Sequence, residues 1–91
     1  MGAKSEISWK GRTAEGLKRE VYARRAGGEW RFFAREKRYD RWQPLEHPPL
    51  EDWLELLDAV RRRTARRLLR PEEPGRLKKI IHELFPELDL P

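Results

Sequence analysis

Hydrophobic and polar residues alternate along Lys18–Arg25 and again along Trp30–Arg38, and Gly27-Gly28 separates the two runs. Alternation with a period of two sends successive side chains to opposite faces of a strand. A Gly-Gly pair between such runs marks a tight hairpin, because both turn positions take positive φ at no steric cost. With the glycines as the turn, Ala26 faces Glu29, and the register continues through Arg25–Trp30, Arg24–Arg31, Ala23–Phe32, Tyr22–Phe33, Val21–Ala34 and Glu20–Arg35. One face then carries Val21, Ala23, Trp30, Phe32 and Ala34, and reads as core. The other carries Tyr22 and Phe33 side by side, ringed by Lys18, Arg24, Arg31, Arg35 and Lys37.

The same patterning organises the rest of the chain. Met1–Ser5 is expected to fray, and Ile7 and Trp9 alternate with polar neighbours in a short first strand, Glu6–Lys10. A loop follows over Gly11–Gly16. Beyond the hairpin, Arg38–Asp40 reads as a turn and Arg41–Leu45 as a fourth strand, which Pro44 confines to a sheet edge. The length of that turn is not specified, so Trp42 is compatible with either face. His47-Pro48-Pro49 favours extended backbone and makes Glu46–Pro49 a connector. Leu50, Trp53, Leu57, Val60, Thr64 and Leu68 then recur at helical spacing, widened by Leu54 and Leu56, and predict a helix over 50–69. Its acids come first and its arginines last, the order the helix dipole prefers. Pro71, Pro74 and Gly75 read as breakers. A second helix is predicted over 76–85, with Leu77, Ile80, Ile81, Leu84 and Phe85 on one face and Pro86 as its stop. Glu87–Pro91 reads as a tail.

The pattern therefore predicts one α+β domain over 1–91: an antiparallel sheet of three to four strands (6–45), then two C-terminal helices packed on one face. Val21, Phe32, Trp53, Leu57, Val60, Ile80 and Leu84 are its expected core. At 91 residues such a core is thin, and a homodimer through the 50–69 helix would help it.

Composition narrows the function. The charged fraction is 41% against 37% hydrophobic, yet four Trp and three Phe supply enough apolar area to fold. With no cysteine there is no disulfide framework and no thiolate metal site. No apolar run is long enough to span a membrane, and the start lacks the apolar centre of a signal peptide, so a cytoplasmic location is expected. The net charge is +5, and residues 17–41 alone carry nine Lys/Arg against four Asp/Glu, which places the excess on the hairpin region. Fifteen of the 21 cations are Arg, whose planar fork suits phosphates and bases better than Lys does.

Catalytic chemistry finds few parts. His47 sits beside two prolines, His82 lies next to an apolar stripe, and neither has a nucleophile at recognisable spacing. Two distant histidines and scattered carboxylates do not make a metal site, and Gly27-Gly28 lacks the surroundings of a phosphate loop. A non-enzyme without cofactor is expected. Two basic clusters remain. On the hairpin face, Arg24 opposes Arg31, a like-charge pair that costs stability and is easier to explain beside an anion. Aromatics interleaved with cations suit a single strand of nucleic acid, the rings stacking on bases and the cations holding phosphates. A solvated outer face would have the same composition. The second cluster, Arg61–Arg70, holds six arginines. It reads either as a helix lying along phosphates or, more simply, as a helix end satisfying its dipole.

Val21-Tyr22-Ala23-Arg24-Arg25 before the glycines, Trp30–Arg38 after them, and the helix opening Leu50-Glu51-Asp52-Trp53-Leu54-Glu55-Leu56-Leu57 cover about half the chain. Four short strands and an amphipathic helix in this order resemble the single-stranded-DNA-binding superfamily of transcriptional-coactivator, Pur-alpha and Whirly proteins. The resemblance implies binding on the sheet face away from the helix, through Tyr22, Arg24, Arg31, Phe33 and Arg35, and dimerisation through helices. The leading expectation is a non-enzymatic module binding single-stranded DNA or RNA through Lys18, Tyr22, Arg24, Arg31, Phe33, Arg35 and Lys37. The competing one is a self-assembly or protein-interaction domain that uses the charge-divided 50–69 helix and its Trp53–Leu57 stripe.

Overall fold

The computed structural model describes residues 6–13 and 15–88. The expectations for Met1–Ser5 and for the last three residues of the tail lie outside them. A four-stranded antiparallel sheet is followed by two helices, an α+β arrangement. The chain falls into two compact units that divide between Pro48 and Pro49.

The first unit is the sheet: β1 (Glu6–Arg12), β2 (Lys18–Ala26), β3 (Glu29–Arg35) and β4 (Gln43–Leu45), in the spatial order β1-β2-β3-β4. The β2–β3 pairing has the register that alternation predicts, from Ala26–Glu29 to Glu20–Arg35. Gly27 and Gly28 both take positive φ, 59° and 83°, as a type I′ turn requires. On the inner face Ile7, Val21, Ala23 and Phe32 are buried, with Trp9 set edge-on to Phe32 at a centroid distance of 6.0 Å. Trp30 and Ala34, expected there too, are half-buried.

Strand ends differ from the expectation for local reasons. β1 runs on through Gly11 and Arg12, because Thr13 closes the turn behind it. The Thr13 N–H donates to the Leu17 carbonyl, and the Leu17 N–H donates to Thr13 Oγ1. β3 stops at Arg35 rather than Arg38. Asp40 folds the next segment into a turn, its Oδ2 accepting from the Lys37 N–H while its own N–H donates to the Lys37 carbonyl. β4 has only three residues, and Pro44 faces Phe33 on this edge strand, where its missing N–H is tolerated.

The second unit pairs α1 (Leu50–Ala65) with α2 (Glu73–Leu84), which pack on each other. In α1 the buried set is Asp52, Trp53, Leu56, Leu57, Ala59 and Val60, with Glu51 and Asp52 at the positive end of the dipole. The expected stripe is turned slightly: Leu56 is fully buried and Leu54 faces outward. The helix also ends four residues early, so Leu68 lies beyond it and is 65% exposed. Like charges at Arg62–Arg66 and Arg63–Arg67 weaken a fifth turn. The chain instead caps itself. The Leu68 N–H reaches the Arg63 carbonyl, the Arg67 N–H reaches that of Thr64, and Arg67 sits at φ 61°. That is a Schellman cap with arginine in the position glycine normally fills.

Arg67→Gly is therefore expected to raise stability. The left-handed conformation costs an L-residue about 1–2 kcal/mol, and glycine's looser unfolded chain returns part of that, leaving a gain of about 0.5–1 kcal/mol. A higher denaturant midpoint at unchanged slope would register it. A fall would mean that the Arg67 side chain does more than complete the cap.

α2 starts three residues before its expected position. Pro74 occupies the first turn, where no intrahelical N–H is needed, so it opens the helix instead of breaking it. The buried stripe is Glu73, Leu77 and Ile81, with Glu73 Oε1 3.9 Å from Arg76 Nη1. Two expected core members drop out: Ile80 is half-buried and Leu84 is 54% exposed. The other five, Val21, Phe32, Trp53, Leu57 and Val60, are buried.

Candidate nucleic-acid interface

Antiparallel register aligns the outer side chains of the sheet in rows. Ser8, Tyr22, Phe33 and Pro44 share the central row. Lys10, Glu20 and Arg35 form the row on one side of it, and Glu6, Arg24 and Arg31 the row on the other. Arg12 and Lys18 lie one row beyond Lys10. Six cations (Lys10, Arg12, Lys18, Arg24, Arg31, Arg35) thus share this face with three acids (Glu6, Glu20, Glu29).

The aromatic row is pre-packed. Tyr22 and Phe33 stack with centroids 4.8 Å apart and planes 17° from parallel. Trp42, one residue before β4, joins the same face and meets Tyr22 nearly perpendicular at 4.7 Å. Its position follows from the pairing: Gln43 lies opposite Ala34, so the next outward position brings Trp42 level with Arg35. The Arg35 guanidinium lies over the Trp42 ring, Cζ 4.2 Å from the centroid, while Arg35 Nε donates to Glu20 Oε1 at 2.8 Å. The three rings are half-exposed. Rings already fixed by one another lose little freedom when a flat ligand arrives.

Of the seven residues expected to bind, Lys18, Tyr22, Arg24, Arg31, Phe33 and Arg35 occupy one face, and Lys37 does not. β3 ends before Lys37, whose backbone belongs to the turn closed by Asp40. Arg35 is on the face but already engaged by Glu20 and Trp42, which makes it a residue that positions Trp42. Arg24 and Arg31 lie opposite each other and exposed, with no ion-pair partner within 4.0 Å among the described residues. Glu6 stands across from Arg24 on β1, so the charge of that row is partly offset. Lys10, Arg12 and Trp42 join this face beside the expected residues. Lys10 follows from the alternation of the predicted first strand, Arg12 from its extension by two residues, and Trp42, compatible with either face in the sequence, from the length of the second turn.

The other cluster fares differently. α1 ends at Ala65, so Arg66, Arg67 and Arg70 lie beyond it and the cluster does not form one helix, and Arg62 is paired with Asp58 at 3.0 Å. Trp53 and Leu57 are buried within the chain, so the stripe invoked for self-assembly is not an exposed one. His47 and His82 are exposed. Among the described residues, no three His, Asp or Glu side chains gather as a metal site, and no helix is long and apolar enough to cross a membrane. Comparison of the chain with protein-family models, with curated proteins and with solved structures returns no match.

Proposed function

We propose that the protein binds single-stranded nucleic acid, without catalysis, on the outer face of the sheet. One observation carries this reading: the half-exposed Tyr22–Phe33–Trp42 row has Lys10, Arg12 and Lys18 on one side and Arg24 and Arg31 on the other. Bases stack on the outward surfaces of the row, and backbone phosphates meet the flanking cations. Half-exposed rings stack on the faces of unpaired bases, which in a duplex are covered by their neighbours, and this favours a single strand. The resemblance to coactivator, Pur-alpha and Whirly proteins points to the same face.

Arg31→Glu tests the reading with two opposed outcomes. It replaces a repulsive Arg24–Arg31 pair with an attractive one and is expected to stabilise the fold by a few tenths to about 1 kcal/mol. It is also expected to weaken binding of a single-stranded oligonucleotide, and to flatten the fall of log affinity with log salt by roughly 0.7 for the lost phosphate contact. Salt titrations against single-stranded and duplex oligonucleotides measure both affinity and preference. Affinity unaltered by Arg31→Glu in a folded protein would remove this face as the site.

A further inference from the structure

A second feature of the sheet extends this surface. At the end of the sheet away from Gly27-Gly28, a groove of about 540 Å³ is lined by Lys10, Arg12, Lys18 and Glu20 of the outer face, by Arg19 from the opposite face, and by Glu36 and Arg38 of the turn that follows β3. Glu20 is bound to Arg35. Arg12 is held in place by its own hydrogen bond, Nη1 donating to the Gly16 carbonyl at 2.9 Å. The 36–40 turn that supplies Glu36 and Arg38 also carries Tyr39, which is 95% exposed. A ring this exposed, on the turn that supplies two of the groove's residues, is open to stacking on a flat partner.

We infer that this groove is a phosphate subsite and Tyr39 a further stacking position, so that a bound strand lies lengthwise along β2. The inference rests on the reading proposed above and adds the path, direction and length requirement of the ligand. Tyr22 and Lys18 are four residues apart in β2, which at roughly 3.3 Å per residue separates the aromatic row from the groove by about 13 Å. A ligand of two or three nucleotides covers the row and the cations beside it. Only a longer one reaches on through the groove to Arg38 and places a base on Tyr39. Crossing the strands at right angles would use Arg24 and Arg31 and leave the groove empty.

The probes are oligothymidylates of about three and about twelve nucleotides, within and beyond the span of the aromatic row. The Arg38→Gln variant changes one exposed side chain and leaves the rings and the cations beside them untouched. For the long oligonucleotide it is expected to lose severalfold in affinity at low salt. Its salt slope should fall by about 0.7, the value of one contact on a single strand. For the short one the change should stay within twofold. Tyr39→Ala should also weaken only the long ligand, with its salt slope preserved, and the Arg38 and Tyr39 amide resonances should shift with the long ligand alone. Equal losses at both lengths, or none at either, would overturn the lengthwise path while leaving the sheet face as the site. Absence of binding by the unaltered protein at both lengths would overturn both readings.

Discussion

Phe32→Ala is expected to cost about 3–5 kcal/mol, enough to unfold a large fraction of a domain whose whole stability is of that order. Phe32 is almost wholly buried, and its ring takes the Trp9 ring edge-on, so truncation leaves a cavity and removes an aromatic pair. Its neighbour Phe33 is the internal control. One residue along, it turns to the other face, half-exposed and stacked on Tyr22. Phe33→Ala should cost about 1–2 kcal/mol, from partial burial and the stacked pair. Denaturant titration of both variants reads the difference. Reversal of the two costs would mean that the hairpin is shifted by one residue and its faces exchanged.

Tyr22→Ala is expected to reduce single-stranded oligonucleotide affinity by about 1–3 kcal/mol with little change in salt dependence, because stacking displaces few counterions. This is the converse of Arg31→Glu, which alters the salt slope. The pair separates rings that stack from cations that hold phosphates. Tyr22 also packs between Phe33 and Trp42, so its removal loosens the row. Tyr22→Leu keeps apolar bulk at the position and removes the flat ring. Affinity lost equally in both variants at unchanged melting temperature assigns the loss to stacking. Full affinity in both would show that the aromatic row is only a second small core.

The hairpin was legible because two independent signals coincide there. Two glycines set the turn, and alternation on either side sets the faces, so each pairing from Ala26–Glu29 to Glu20–Arg35 follows. Where one signal is missing, the reading fails locally. Trp42 follows a turn closed by the Asp40 side chain, and a turn built from charged residues declares neither its length nor its exit direction. Arg67 ends α1 in a conformation that glycine would have announced and arginine conceals. Pro74 and Gly75 look like breakers until α2 is seen to begin at Glu73, where proline costs nothing. The candidate site was visible as a composition, rings among cations. The pre-packing of Tyr22, Phe33 and Trp42, and the diversion of Arg35 to Glu20, depend on side-chain distances that no spacing encodes.

The strand order β1-β2-β3-β4 also bears on how the sheet assembles. Every pairing joins strands adjacent in sequence, so no strand waits for a partner made much later. Local pairings of this kind give low contact order and fast folding, with individual hairpins closing in about 1–10 µs. Synthesis proceeds at roughly 5–20 residues per second, so each hairpin has ample time to close before the next strand is complete. The two-residue Gly27-Gly28 turn is the shortest connection in the sheet and closes a seven-pair hairpin, which makes it the natural nucleus, with β1 and β4 adding outward from it. A chain that zips in this order has few competing partners for any strand at any moment, which limits mispairing while the helices are still being made.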